Sequence, residues 1–263
     1  MFANERQQQI LSRLNLNGAV TTSELTEAFG VSIETVRRDL LHLEQKGHLQ
    51  RVHGGAVAPG SMRHYADLSA RMTENSQGKA ELSQNAALLV QEGDILYIDS
   101  GSTAVFFAKE LASRFSKMTV VTHSMDVFEI LAKQHGFHLI LCGGSYSWEE
   151  RAFHGGITLE ALKQLHVSKA FLCPSAISLR NGVRDYDQAL TQVQKQIISI
   201  CDRAYFLADS EKFETTGLLK LCDTSENHIY ITDSALPQRY RQLYREQNMT
   251  VITCSDDIKK GCL

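Results

Sequence analysis

Apolar residues in the N-terminal part of the chain recur at helical spacing and then give way to short runs. Positions 4–15 carry Ile10, Leu11 and Leu14 among polar neighbours, which predicts an amphipathic helix. After Gly18, Thr21-Thr22-Ser23-Glu24 has the form of a capping box, in which Thr21 accepts from the backbone N–H three residues on and Glu24 reaches back. Leu25, Ala28 and Phe29 then make the inner face of a short second helix, and Gly30 stops it where positive φ is required. Val31 fills the turn and Ser32 caps a third helix. There Ile33, Val36, Leu40 and Leu43 are expected inside, with Glu34, Thr35, Arg37, Arg38 and Asp39 outward or at the margins. Gly47 ends that helix. Leu49–Val52 and Ala56-Val57, joined through His53-Gly54-Gly55, predict a short hairpin or wing.

Pro59-Gly60-Ser61 is a sharp break, and the polar, weakly patterned residues 60–77 read as linker and approach segment. Beyond them strands and helices alternate. Strands are expected at 95–98, 119–122, 138–142, 170–173, 204–208, 229–232 and 250–253, and helices at 79–91, 103–114, 125–135, 157–165, 188–202 and 237–247. Such alternation implies a mostly parallel open sheet with helices on both faces. The expected organisation is an N-terminal winged helix-turn-helix, α with a short β wing, at 1–58, a linker at 59–77 and an α/β domain at 78–255.

A length of 263 residues suits two domains, since a single one usually takes roughly 100–200. The hydrophobic fraction of 43% and charged fraction of 22% are ordinary for a globular protein. No apolar run approaches the roughly 20 residues that span a bilayer, and the polar start Met1-Phe2-Ala3-Asn4-Glu5-Arg6 lacks a signal peptide's apolar stretch, so the cytoplasm is the expected location. The six cysteines form no CxxC pair and lie mostly in apolar runs, as buried hydrophobes do. The ten histidines show no metal-ligand spacing; neither metal nor cofactor is assigned. A net charge of −3 does not advertise nucleic-acid binding, so attraction to phosphates must come from where the cations stand.

They stand in one informative place. In a helix-turn-helix the first helix braces the second, whose exposed N-terminal side chains enter the major groove. Ser32, Glu34, Thr35, Arg37 and Arg38 are available for that face. Arg pairs bidentately with guanine or with phosphate, while hydroxyls favour phosphate. Arg51 and His53, at the wing, are placed to touch backbone or minor groove, and Thr21 and Thr22 complete the candidate DNA-contacting set. A bare Arg pair is usually only a solvated helix face. Here it follows a capped helix, a tight glycine turn and a second cap at the right spacing.

A second constellation lies at the carboxyl ends of the expected strands, where open α/β sheets bind ligands. Asp99-Ser100-Gly101-Ser102-Thr103 enters a helix and offers hydroxyls, N–H groups and the helix dipole to an anion. The same rim receives Thr122-His123-Ser124, Gly143-Gly144 and Asp209-Ser210-Glu211-Lys212. Lys212 is suited to neutralise a phosphate and Asp209 to accept from a sugar hydroxyl. Each alone would be unremarkable structure; their convergence points to a phosphorylated ligand.

Glu24-Leu25-Thr26, the run Val31 to Leu40, Leu43-Glu44 and Arg51 to Ala56 closely resemble the DNA-binding domain of DeoR-family bacterial regulators. The rim segments resemble that family's sensor domain, which looks like a ribose-5-phosphate isomerase relative retaining phosphosugar binding. The resemblance implies a repressor of a carbohydrate operon that binds operator DNA and is controlled by a phosphorylated sugar or related metabolite. Because helix-turn-helix proteins bind paired half-sites, a homodimer or homotetramer is expected. The resemblance further implies a place in the effector site for Gly182 and for Lys212-Phe213. The chain departs from the family pattern at His123, where Asn is common, at Gln194, which aligns with a Lys, and at Ser147, which replaces an Arg although Arg151 lies close. These departures suggest a ligand of different charge or shape.

Catalysis by such a domain would need a carboxylate base beside the substrate carbons. The stretch from Cys173 to Tyr186 lacks the isomerase pattern, and Asp185 and Asp187 are its only nearby carboxylates, so the site is expected to bind without turnover. The competing readings are an enzyme with an accessory DNA-binding module and a regulator whose α/β domain only oligomerises. Trp148, just past the rim, is either a lid or a packing residue.

Overall fold

The computed structural model describes residues 2–52, 54–57, 67–254 and 257. The N-terminal unit comprises α1 (Ala3–Asn17), β1 (Ala19–Thr21), α2 (Thr22–Phe29), α3 (Ile33–Gln45), β2 (Gln50–Val52) and β3 (Gly55–Val57). Ile10 and Leu14 of α1 meet Leu25 of α2 and Val36, Leu40 and Leu43 of α3 in one small core. The capping box is formed: Thr21 Oγ1 accepts from Glu24 N, and Thr21 N donates to Glu24 Oε2, each at 3.1 Å. Gly30 closes α2 at φ 62°, a left-handed value that favours glycine. The wing is three-stranded, in the order β1-β3-β2, because the segment between α1 and α2 also pairs.

The stretch expected as linker holds a short helix, α4 (Leu68–Thr73), followed by α5 (Ser76–Ala87). The larger unit continues through β4 (Ile95–Ile98), α6 (Ser102–Arg114), β5 (Met118–Thr122), α7 (Met125–Leu131), β6 (Phe137–Leu141), the hairpin β7 (Ser145–Ser147) and β8 (Ala152–His154), and α8 (Gly156–Lys163). Then come β9 (Val167–Leu172), β10 (Ala176–Ser178), β11 (Gly182–Asp185), α9 (Gln188–Ile200), β12 (Cys201–Leu207), β13 (Leu219–Cys222), β14 (Ile229–Ile231), α10 (Gln238–Glu246) and β15 (Thr250–Ile252).

Seven strands form a parallel sheet in the order β15-β14-β12-β9-β4-β5-β6. Alternation along β4 shows why both faces are covered. Leu96 and Ile98 enter the core shared with α5, α6 and α7, whereas Tyr97 enters the opposite core, shared with α8, α9 and α10. The chain winds outward from β4 through β5 and β6, then returns to start again at β9 on β4's other side. The order therefore reverses between β4 and β9, which leaves a crevice beyond their carboxyl ends.

A smaller antiparallel sheet, β10-β11-β13, stands beside this crevice and meets the wing. Ala19 and Val57 pack with Tyr186 and Leu218 in a cluster separate from either main core. The approach is close. A Cβ on Gly18 would lie 2.1 Å from Thr216 Cγ2, and one on Gly55 would lie 2.1 Å from Val20 O and 3.0 Å from Leu218 Cδ1. Tyr186 is buried there and donates from its hydroxyl to Thr216 O at 2.8 Å.

Candidate functional site

The tip of α3 is built by its cap. Ser32 Oγ accepts from Thr35 N at 3.2 Å and lies 2.9 Å from Thr35 Oγ1, leaving Glu34, Arg37 and Arg38 exposed on the helix that follows. Arg37 leans on Glu34 at 3.8 Å, a loose contact between exposed groups, and Arg38 forms no ion pair among the described residues. Two positions differ from the expected pattern. Ile33 is 46% exposed, because the first turn of α3 projects past the core that α1 and α2 supply. Asp39 is buried, because Arg6 and Gln7 of α1 reach it at 2.5 and 3.1 Å. The outward face therefore carries an apolar side chain beside its cations, and of its two acids Asp39 is withdrawn into the fold while Glu34 stays exposed beside Arg37.

The remaining candidates around the wing are partly engaged within the protein. Thr21 serves the capping box, and Thr22 Oγ1 donates to Gly54 O at 3.0 Å, fixing the turn of the wing. Arg51 donates to Glu44 through its backbone N at 2.8 Å and its Nε at 2.7 Å, and these bonds hold the Glu44 carboxyl below its ordinary range. His53 lies outside the described residues.

The crevice between β4 and β9 holds a cavity of about 30 Å³. Among the residues named from the sequence, Ser100, Gly101, Asp185, Asp187, Gln194 and Lys212 line it. Gly101, at φ 94°, lets the chain turn into α6, whose first residues Ser102 and Thr103 are buried beside it. Lys212, on the turn after β12, donates from Nζ to Pro174 O at 3.1 Å. Asp99 lies just behind the wall, where its Oδ2 accepts from Cys173 N and from Gln194 Nε2, both at 2.9 Å. Asp209 is buried, and its Oδ1 has no hydrogen-bond partner among the described residues. Burial pushes the carboxyls of Asp99 and Asp185 up.

Thr122 and His123 lie under the rim, completely buried. His123 Nδ1 is 2.6 Å from Tyr97 Oη, and its Nε2, 3.9 Å from Asp99 Oδ1, has no hydrogen-bond partner among the described residues. Burial holds this imidazole down to about 3, so it is neutral at pH 7. Gly143 and Gly144 pack on α8: Thr158 Oγ1 donates to Gly143 O at 2.9 Å, and a Cβ on Gly144 would meet Thr158 Oγ1 at 2.2 Å. Arg151 turns toward α7, donating to Asp126 at 2.6 Å and to Glu129 at 3.3 Å.

Several cavity residues escaped the sequence reading. Ser175 contributes a polar wall beside Asp187, the carboxylate named with Asp185 above, and Arg71 and Glu150 line the cavity as an ion pair. Arg71 Nη2 donates to the two Glu150 oxygens at 2.6 and 2.5 Å, and its Nη1 lies 3.6 Å from where a Cβ on Gly101 would stand. Nearby, buried Lys79 donates from Nζ to Arg71 O and Glu74 O, each at 2.6 Å; desolvation first and Lys212 second lower its ammonium. Trp148 is 80% exposed and meets Tyr146 edge-on. Among the described residues no group of three or more His, Cys, Asp or Glu is gathered to hold a metal ion, and no helix is long and apolar enough to cross a membrane.

Comparison with known proteins follows the same division. Residues 6–62 match the DeoR-like helix-turn-helix domain and residues 74–234 the DeoR C terminal sensor domain. The chain is 32% identical over 251 residues to the L-fucose operon activator of Haemophilus influenzae, covering 95% of this chain and 100% of that protein. It is 28% identical over 257 residues to the HTH-type transcriptional repressor GlcR of Bacillus subtilis, covering 98% of each. Ribose 5-phosphate isomerase A from Methanocaldococcus jannaschii aligns at a TM-score of 0.40 and 16% identity, over 53% of this chain and 55% of the other.

Proposed function

The chain belongs to the DeoR family of transcriptional regulators, and from that premise we propose that it represses a carbohydrate-utilisation operon until a phosphorylated sugar fills the crevice between β4 and β9. Operator DNA and a small-molecule effector are its partners by family. The relatives' names include both an activator and a repressor; repression is the sign proposed for this chain. A regulator of chromosomal DNA works in the cytoplasm. Helix-turn-helix proteins bind paired half-sites, so the working form is a homodimer or homotetramer.

The observation that carries the effector reading is the position of Arg71. Helix α4 is the first described element after the wing, and its arginine stands over the turn that opens α6. A phosphate placed there meets the positive end of α6, the Ser100–Thr103 hydroxyls and N–H groups, Lys212 and Arg71. A cavity of about 30 Å³ has room for little more than water, so entry requires the Arg71–Glu150 pair to open. Arg71 then exchanges a carboxylate for the phosphate, and α4 moves with it.

A second contact carries the signal toward DNA. Asp185 lines the cavity, and its Oδ1 accepts from the backbone N of Tyr186 at 2.8 Å. Tyr186 in turn packs against Ala19 and Val57 of the wing unit. The effector shifts the winged helix only if it binds one arrangement more tightly than the other. Band-shift titration of the full chain on its upstream DNA, with a panel of sugar phosphates, tests the proposal. One of them releases the DNA; if none changes the affinity, phosphosugar control is wrong.

A further inference from the structure

The lining of the cavity is more negative than a phosphate site should be. Glu150, Asp185 and Asp187 line it against Arg71 and Lys212, and Asp99 stands directly behind Gln194. Arg71 is already matched by Glu150. Among the described residues neither Asp99 nor Asp185 has a Lys or Arg at ion-pair distance; Lys212 favours the Asp99 carboxylate only from beyond that distance, and the His123 ring near Asp99 is neutral. What joins the two carboxylates is a single uncharged group: Gln194 Nε2 donates to Asp99 Oδ2 at 2.9 Å and to Asp185 Oδ2 at 3.2 Å. These acceptors fix the orientation of the amide, because the flipped form would set its oxygen against two carboxylate oxygens. Gln194 Oε1 is thereby left buried and, among the described residues, without a hydrogen-bond partner on a residue that lines the cavity.

A buried carboxylate persists when a positive charge compensates it. Adding a phosphate dianion makes the imbalance worse unless the ligand brings a cation of its own. Resting on the phosphate-effector reading above, we propose that the effector is an amino-sugar phosphate whose protonated amine sits against Gln194 Oε1 and Asp185, with the phosphate at the start of α6. Gln194 is then the specificity-determining residue. It supplies an acceptor and no charge, so the compensating charge has to come from the ligand. A lysine at this position would supply that charge itself and favour an uncharged sugar.

The test is calorimetric titration of the full chain with matched pairs of 6-phosphates, amino against hydroxy, in the gluco, galacto and manno series. At least one amino sugar phosphate binds on the order of tenfold or more tighter than its hydroxy partner, as one compensated charge of roughly 1.4 kcal/mol or more requires. Gln194→Lys removes or reverses that preference while still binding a phosphate ester. Equal or tighter binding of the hydroxy partner by the wild type overturns the inference and leaves the phosphosugar reading standing. So does an amino preference that survives Gln194→Lys unchanged. If none of the six binds, the phosphosugar reading falls and this inference with it.

Discussion

Removing the carboxylate that covers the cavity should strengthen effector binding. In the free protein Arg71 is held by Glu150, with side chains 18% and 15% exposed. To reach a phosphate, Arg71 must leave that partner, so part of the phosphate's binding energy goes to breaking the pair. Exposed pairs are worth about 0–1 kcal/mol and breaking a fully buried one costs about 3–5 kcal/mol, so a pair at this depth stands near ~1–2 kcal/mol. Glu150→Gln removes the competitor but not the arginine, and affinity should rise roughly 5- to 30-fold. Arg71→Ala removes a charge-assisted bond to the phosphate, worth about 1.5–3 kcal/mol, and should weaken binding roughly 10- to 150-fold. The assay is calorimetric titration of wild type and both variants with the tightest ligand of the 6-phosphate panel, together with glucosamine 6-phosphate. The opposite signs matter more than the sizes. If Glu150→Gln binds no tighter and Arg71→Ala no weaker, the phosphate does not lie beneath Arg71.

Further predictions concern the DNA-binding unit and the buried histidine. Arg38→Ala lowers operator affinity by about 1–3 kcal/mol in anisotropy titrations, the size of a base or phosphate contact by an arginine, and leaves the effector's thermal shift unchanged. An unaltered operator affinity would remove Arg38 from recognition. Asp39→Ala removes the buried carboxylate that accepts from Arg6 and Gln7; at about 3–5 kcal/mol for breaking a buried pair, it unfolds the N-terminal unit and abolishes operator binding while effector binding persists. The native His123 ring refuses a proton until about 3, whereas the unfolded chain accepts one near 6.5. Its contribution to stability is therefore full above pH 6.5 and lost as pH falls toward 3. Asp99 beside it, pushed up by burial, works in the opposite direction in both proteins. The melting-temperature gap between wild type and His123→Gln should narrow from pH 7 to pH 4, and a constant gap would contradict this account.

What could be read in advance was local. The capping box, the Gly30 stop and the Ser32 cap are each settled by neighbours within a few positions, and their geometry is present. Strand–helix alternation announced the parallel sheet for the same reason. The misplacements come from contacts between distant segments. Helical spacing puts Ile33 in register with Val36 and Leu40, but the first turn of α3 projects past the small core and leaves Ile33 46% exposed. Asp39 looked like a surface acid until α1 brought Arg6 against it. Arg71 fell in a polar stretch without periodicity, and its meaning depends on Glu150, 79 residues away. Gln194 stood out only as a departure from a family pattern; its bridge to Asp99 spans 95 residues. The short strands β10, β11 and β13 gave too few positions for alternation to register.

DNA recognition by α3 is open to one direct experiment. Anisotropy titration of the full chain at moderate salt should compare a duplex from the region upstream of its own operon with a scrambled duplex of equal length. Specific sites are bound about 10³-fold or more tighter than random sequence. The account predicts such a preference and its loss on adding the effector. Equal affinity for every genomic duplex tried and for the scrambled one would contradict it.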